Sequence, residues 1–265
     1  MTSAPIRDNY LNIDGINLYY EFINKSMLSE GKPLLVFLHE GLGCSKQWKD
    51  FPLLLSDATK LPALLYDRYG YGMSDCLKSD RNKEFMHHEA LEVLPEIFFK
   101  LNLPDHQKIL LGHSDGGSIA IIHAGSFPEK IKGIITEAAH LYLEDISYKG
   151  IRDAIVAFET GELKKLLSKY HGENTEKMFY GWTDNWLSED LKDWNIESYL
   201  SHIRSPFLAI QGENDNYGTI SQLQSIQKYL KENVIIEHIP ECGHIPHLQA
   251  KKLVLKKMTE FISKI

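Results

Sequence analysis

Ile109-Leu110-Leu111-Gly112-His113-Ser114-Asp115-Gly116-Gly117 decides how this chain folds. A short apolar run feeds a glycine-flanked serine, and a helical pattern, Gly117–Ser126, follows at once. A serine in G-x-S-x-G between strand and helix sits on a sharp turn that projects its hydroxyl from the sheet edge, and the flanking glycines permit the close backbone approach. The motif alone occurs by chance; the strand–turn–helix context gives it meaning. Outward from it, the runs Leu34–Leu38, Ala63–Tyr66, Ile131–Ile135, Phe207–Ile210 and Val234–Ile236 lack clean alternation. Strands buried on both faces of a parallel sheet read in this way. Helical patterns fill the gaps, at about Lys46–Ser56, Glu84–Leu101, Ile220–Lys231 and Gln249–Ile265. Strand alternating with helix predicts an α/β sheet with right-handed crossovers. At the start, Tyr10–Ile13 and Ile16–Phe22 flank Asp14-Gly15, a hairpin signal.

One segment breaks the rhythm. Residues 140–203 carry helical patterning (Ile151–Phe158, Leu163–Tyr170) and no convincing strand, so they read as a helical cap inserted into a core made of residues 1–139 and 204–265. The insertion holds 10 of the chain's 28 aromatic residues, more than its share. A small cap needs large side chains to make a core; the remainder, Trp182 and Trp186 among them, are expected to line a ligand pocket, since such sites are mostly apolar.

Composition narrows the function. The chain has 265 residues, 43% hydrophobic and 25% charged, which excludes disorder, collagen-like repetition and coiled coil. Lys and Arg number 29 against 36 Asp and Glu, a net charge of −7 with no basic stripe. Nucleic-acid and anionic-membrane partners are therefore not expected. The longest apolar runs fall far short of the roughly 20 residues of a membrane span. Cys44, Cys76 and Cys242 are odd in number and widely spaced, which fits neither a disulfide framework nor paired zinc ligands. With no basic patch and apolar run in Met1 to Asp8, a cytoplasmic protein is expected. Its partner should be a small-molecule substrate, and no signal of oligomeric state is present.

Serine is a poor nucleophile until a base takes its proton, so Ser114 requires a histidine from another loop at the same sheet edge. Of twelve histidines, His244 in Glu241-Cys242-Gly243-His244-Ile245-Pro246-His247 stands between the last strand and the last helix. His247 opens the helical stretch and reads as a structural contact, and His244, His247 and Glu241 lack a further ligand for a metal. Asp215, after the strand Phe207–Ile210, is the carboxylate expected to orient the imidazole, with Glu213 as runner-up. The oxyanion donors should be the backbone amides of Asp115, after the nucleophile, and Gly41, with Leu42 second to it, in His39-Glu40-Gly41-Leu42-Gly43. Glu137 and His140, where the cap begins, are candidate substrate contacts; His87 and His88 read as solvated or capping.

Together these residues resemble the α/β-hydrolase family, over essentially the whole chain. His39–Gly43 resembles its H-G-x-G loop, Asp67-Arg68-Tyr69-Gly70-Tyr71-Gly72-Met73-Ser74 its D-x-x-G-x-G-x-S turn, and Gly112–Gly117, Asp215 and Gly243-His244 complete the set. The resemblance implies an eight-stranded sheet with the second strand antiparallel, a cap after the sixth, and no metal or organic cofactor. The expected activity is hydrolysis of a small to medium carboxylic ester through an acyl-enzyme. Carbon–carbon cleavage of a vinylogous diketone uses the same residues but another oxyanion sequence, and a slow-turnover receptor is the rival from outside enzymology.

Glu40 departs from the family pattern, which has glycine there. A carboxylate about 6 Å from a developing oxyanion costs roughly 2.8 kcal/mol at an effective dielectric near 20. It must therefore be neutralised, and Arg68, on the neighbouring strand's loop, is the expected ion-pair partner.

Overall fold

The apolar runs assemble into one sheet. In the computed structural model, which describes residues 9–265, its strands are β1 (Tyr10–Ile13), β2 (Ile16–Ile23), β3 (Leu34–Leu38), β4 (Ala63–Tyr66), β5 (Lys108–His113), β6 (Ile131–Glu137), β7 (Phe207–Gly212) and β8 (Val234–Ile239). Their order is β1-β2-β4-β3-β5-β6-β7-β8, with β2 antiparallel to both neighbours and every pair from β4 to β8 parallel. The segment Met1–Asp8, on which the expectation about a leader rests, lies outside the described residues.

Alternation is missing from β3 to β7 because both faces are buried. On β3, Leu34, Val36 and Leu38 pack with Met86, Leu94, Ile119 and Ile226, whereas Leu35 and Phe37 pack with Phe51, Leu55, Val254 and Phe261. Each such side chain contributes on the order of 1.5–3 kcal/mol by leaving water. The covering helices are α1 (Phe51–Thr59), α2 (Phe85–His88), α3 (Leu94–Lys100), α4 (Asp115–Ser126), α9 (Ile220–Leu230), α10 (Pro246–Gln249) and α11 (Lys251–Ile262). Between β6 and β7 run α5 (Asp145–Glu159), α6 (Glu162–His171), α7 (Thr175–Trp186) and α8 (Glu197–Leu200), with one isolated bridge, Tyr142 to Asn195, and no strand among the described residues. No helix of the described residues is long and apolar enough to cross a membrane.

Three expected helices are broken. Lys49, at φ 58°, separates a 3-10 turn (Ser45–Trp48) from α1, and Ala250 separates α10 from α11. The third, Glu84–Leu101, contains a π-helical turn, Glu89–Val93, where the Leu94 amide donates five residues back to the Glu89 carbonyl. The next amide in that pattern would serve Ala90, but residue 95 is proline and has none. His123 of α4 fills the gap, its Nδ1–H donating to the Ala90 oxygen at 2.7 Å.

Burial pushes the His123 imidazole down to about 4, outweighing that hydrogen bond. The folded chain thus binds this proton less readily than the unfolded chain, with its ordinary value near 6.5. The resulting stability is complete at neutral pH and is lost as pH falls from about 6.5 through about 4, on the order of 3 kcal/mol in all. Urea unfolding of the chain and of His123→Gln across this range should show a steeper loss in the unsubstituted chain; parallel curves would assign the acid sensitivity elsewhere.

Candidate active site

Ser114 occupies the turn between β5 and α4 with φ 52° and ψ −118°, a sparsely populated conformation that the surrounding backbone enforces. Its amide donates to the Glu137 carbonyl at 2.8 Å, and α4 begins immediately. The turn is too tight for side chains at its glycines: a Cβ on Gly116 would lie 1.9 Å from the Leu38 oxygen, and one on Gly112 would lie 2.2 Å from the Gly116 oxygen. G-x-S-x-G spacing is thus a packing requirement of the strand–helix junction.

Two further loops rise at the same edge. After β7, the buried Asp215 carboxylate accepts the His244 Nδ1–H at 2.8 Å, the Tyr217 amide at 2.8 Å and the Gln211 amide side chain at 3.3 Å. Burial pushes the Asp215 carboxyl up, but the His244 charge and hydrogen bonds together hold it below its ordinary value. Bonded through Nδ1–H, neutral His244 carries its lone pair on Nε2, the tautomer a general base requires. Gln249 braces the loop after β8: its Oε1 accepts the Gly243 amide at 3.0 Å and the Ile245 amide at 3.1 Å, one on each side of His244. Glu213, the runner-up to Asp215, is exposed.

The loop after β3 is pinned through the Glu40 carbonyl, which accepts His39 Nδ1–H at 2.8 Å, Arg68 Nη2–H at 2.8 Å and the Gly43 amide at 3.2 Å. Asp115, as the first residue of α4, has an amide without an intrahelical acceptor. Gly41, Leu42, Ser114, Asp115, His140, Trp182, Trp186 and His244 all line one cavity of about 530 Å³. Leu143, Ile151, Leu163, Leu166, Leu167 and Tyr217 make its apolar walls, and Gln47, Ser147, Asn214, Asn216 and Gln249 supply polar points. Among the described residues no lysine or arginine lines it. The segment 140–203 is anchored over the edge by His171, whose Nδ1 accepts the Gly72 amide at 2.9 Å, and by Asn174, which donates to the Ser74 carbonyl at 2.9 Å. The Asp67–Ser74 turn that receives them is held by the buried Asp67 carboxylate, which accepts the Ser45 amide at 2.7 Å and the Met73 amide at 2.8 Å. Among the described residues no cluster of three or more His, Cys, Asp or Glu side chains is placed to hold a metal ion.

Two expectations need correction. Glu137 does not face the cavity: its carboxylate turns inward to His247 Nδ1–H at 2.5 Å, both residues being buried, and the His247 ring packs on Trp48. Nor do Glu40 and Arg68 pair through their side chains. β3 lies between β4 and β5, and the Glu40 carboxylate leans toward β5, 3.4 Å from His113 Nδ1, while Arg68 reaches the Glu40 backbone and stands 3.8 Å from Asp115. Adjacency to β4 was only half of Glu40's surroundings. His113 and Gln249 carry no expectation from the sequence; His113 is visible in the motif, whereas nothing local marks Gln249. His88 is exposed and pairs with Glu92 at 3.2 Å.

A family model for the alpha/beta hydrolase family matches residues 35–256, and the chain belongs to that family. Among characterised relatives, it is 26% identical to a proline iminopeptidase of Saccharolobus solfataricus, covering 99% of this chain and 94% of that one. It is 28% identical to the serine hydrolase BPHL of Mus musculus (94% and 82% covered). It is also 28% identical to a pimeloyl-[acyl-carrier protein] methyl ester esterase of Wigglesworthia glossinidia brevipalpis (90% and 96% covered).

Proposed function

We propose that the protein is a serine hydrolase that cleaves neutral carboxylic esters of small to medium size. The observation that carries this reading is the 2.8 Å bond from His244 Nδ1 to a buried Asp215, with His244 and a conformationally strained Ser114 both lining the same cavity. Ser114 attacks the ester carbonyl; His244 Nε2 takes its proton and returns it to the leaving alcohol; Asp215 holds the imidazole and stabilises its charged form. The Gly41 and Asp115 amides stabilise the oxyanion, each worth roughly 2.7–4 kcal/mol to the barrier. Water, activated by His244, then hydrolyses the acyl-enzyme. Relatives named as a serine hydrolase, an esterase and a peptidase support acyl transfer as the reaction.

Neutral substrates are favoured by the absence of lysine and arginine from the cavity lining among the described residues and by the 12 acidic against 7 basic residues in 140–203, which repel anions on approach. That segment acts as a cap, and Trp182, whose indole nitrogen packs over Gly41, limits the acyl end. Turnover of p-nitrophenyl esters and lactones with acyl chains of increasing length tests the reading. Repeated turnover supports an enzyme, a single burst followed by arrest indicates a receptor, and inertness toward esters with cleavage of a vinylogous diketone indicates carbon–carbon hydrolysis. Trp182→Ala should move the optimum to longer acyl chains, with about a 10-fold change in kcat/KM ratios. An unchanged profile together with a loss of roughly 3–5 kcal/mol of stability would give Trp182 a purely structural role.

A further inference from the structure

The Glu40 carboxylate belongs to the residue preceding the proposed oxyanion donor Gly41, and it lines the catalytic cavity. A negative charge there opposes the one that develops on the substrate oxygen. The answer lies in His113, the fully buried residue preceding the nucleophile. Its Nε2 stands 2.7 Å from the His244 carbonyl oxygen, which can only accept, so Nε2 carries hydrogen. Its Nδ1 faces Glu40 Oε2 at 3.4 Å. That contact is not a formed hydrogen bond but a facing of charges: a neutral ring would turn a lone pair on the carboxylate, whereas a doubly protonated ring turns an N–H toward each acceptor.

We propose that Glu40 and His113 form a buried carboxylate–imidazolium pair that neutralises the charge beside the oxyanion amide and anchors the His244 loop. Both are positioning residues for the ester hydrolysis proposed above, on which this role rests. Burial works against each ion; the His113 group facing it nonetheless holds the Glu40 carboxyl well below its usual range, and Glu40, then Glu137, raise His113. The His244 ring lies 5.1 Å from His113, so the charge it gains in catalysis stands against that of His113, while Arg68, donating to the Glu40 carbonyl at 2.8 Å, adds a cation on the Glu40 side. From β6, Glu137 adds negative charge near His113; from the loop after β8 comes the His244 carbonyl; and from α10 the His247 ring lies 5.2 Å away, engaged with Glu137. Around Glu40, His39 is held neutral by burial, so it adds no charge there, and His171 is likewise lowered by burial. Gly43 leaves the room the carboxylate needs: a Cβ there would lie 2.2 Å from Glu40 Oε2.

The pair's contribution is present below His113's raised value and is lost as pH rises through it. Imidazole nitrogen NMR on the full chain should find His113 still doubly protonated where an ordinary imidazole has lost its proton, and Glu40→Gln should lower its titration. Glu40→Gln and His113→Gln should each lower kcat for p-nitrophenyl butyrate by about 10-fold with KM nearly unchanged, and the double variant should lose no more than the worse single. A neutral His113 at neutral pH in the unsubstituted chain overturns the proposal, as do multiplicative losses, or lowered Tm with kcat intact. If the unsubstituted chain turns over no ester, the hydrolase reading fails, and the NMR titration still decides whether the pair exists.

Discussion

Ser114→Ala should abolish turnover, by on the order of 10⁶ in kcat, because nucleophile, base and orienter act as one unit and what remains is binding and oxyanion stabilisation alone. The substitution removes one oxygen and leaves the turn intact. Ser114 already holds φ 52°, and the contacts that enforce it belong to Gly112, Gly116 and Leu38. Thermal stability should therefore change little while activity vanishes. A fluorophosphonate that phosphonylates the unsubstituted chain, losing fluoride to the attacking serine oxygen, should add no mass to the variant. Retention of most of the activity would remove the covalent mechanism and, with it, the role assigned to His244.

Asp215→Asn should cost on the order of 10⁴ in kcat. Asparagine preserves the shape but offers an amide hydrogen where His244 Nδ1–H now finds an acceptor at 2.8 Å, so the ring is driven to the tautomer whose Nε2 holds the hydrogen and cannot act as base. His244→Ala should match the loss at Ser114. His247→Ala separates the two histidines: it should leave kcat within a few-fold yet destabilise the fold by roughly 3–5 kcal/mol, since it strands the buried Glu137 carboxylate. Measuring kcat and urea midpoints for both variants checks this. A kcat collapse in His247→Ala with His244→Ala active would reassign the base.

Much of this site was legible in the chain before any coordinates. The strands β3 and β4 follow the expected runs residue for residue, since an apolar run covered on both faces is a local signature, and β1 follows the hairpin signal of Asp14-Gly15. The ends were less legible: β5, β7 and β8 extend through Lys108, His113, Gln211 and Glu237, whose backbones join the ladder although their side chains are polar. Helix interruptions escaped the periodicity for a similar reason, because a π turn keeps the apolar face and changes only the hydrogen-bond pattern.

By itself, the sequence determined the α/β architecture and the three loops that present Ser114, Asp215 and His244. Strand propensity, tight glycine turns and chain order are local properties, and parallel connectivity brings all three loops to one edge. Which buried charges meet was decided only by the tertiary structure. Glu40 turned to His113 on β5 rather than to Arg68 beyond β4, Glu137 turned inward to His247 110 residues away, and Gln249 closed on both sides of His244. Such pairings depend on a few ångströms of loop crossing at the sheet edge, where each carboxylate has several cations or N–H groups within reach. Burial then makes the choice, because a carboxylate removed from water must find its partner among the donors that the packed loops leave beside it.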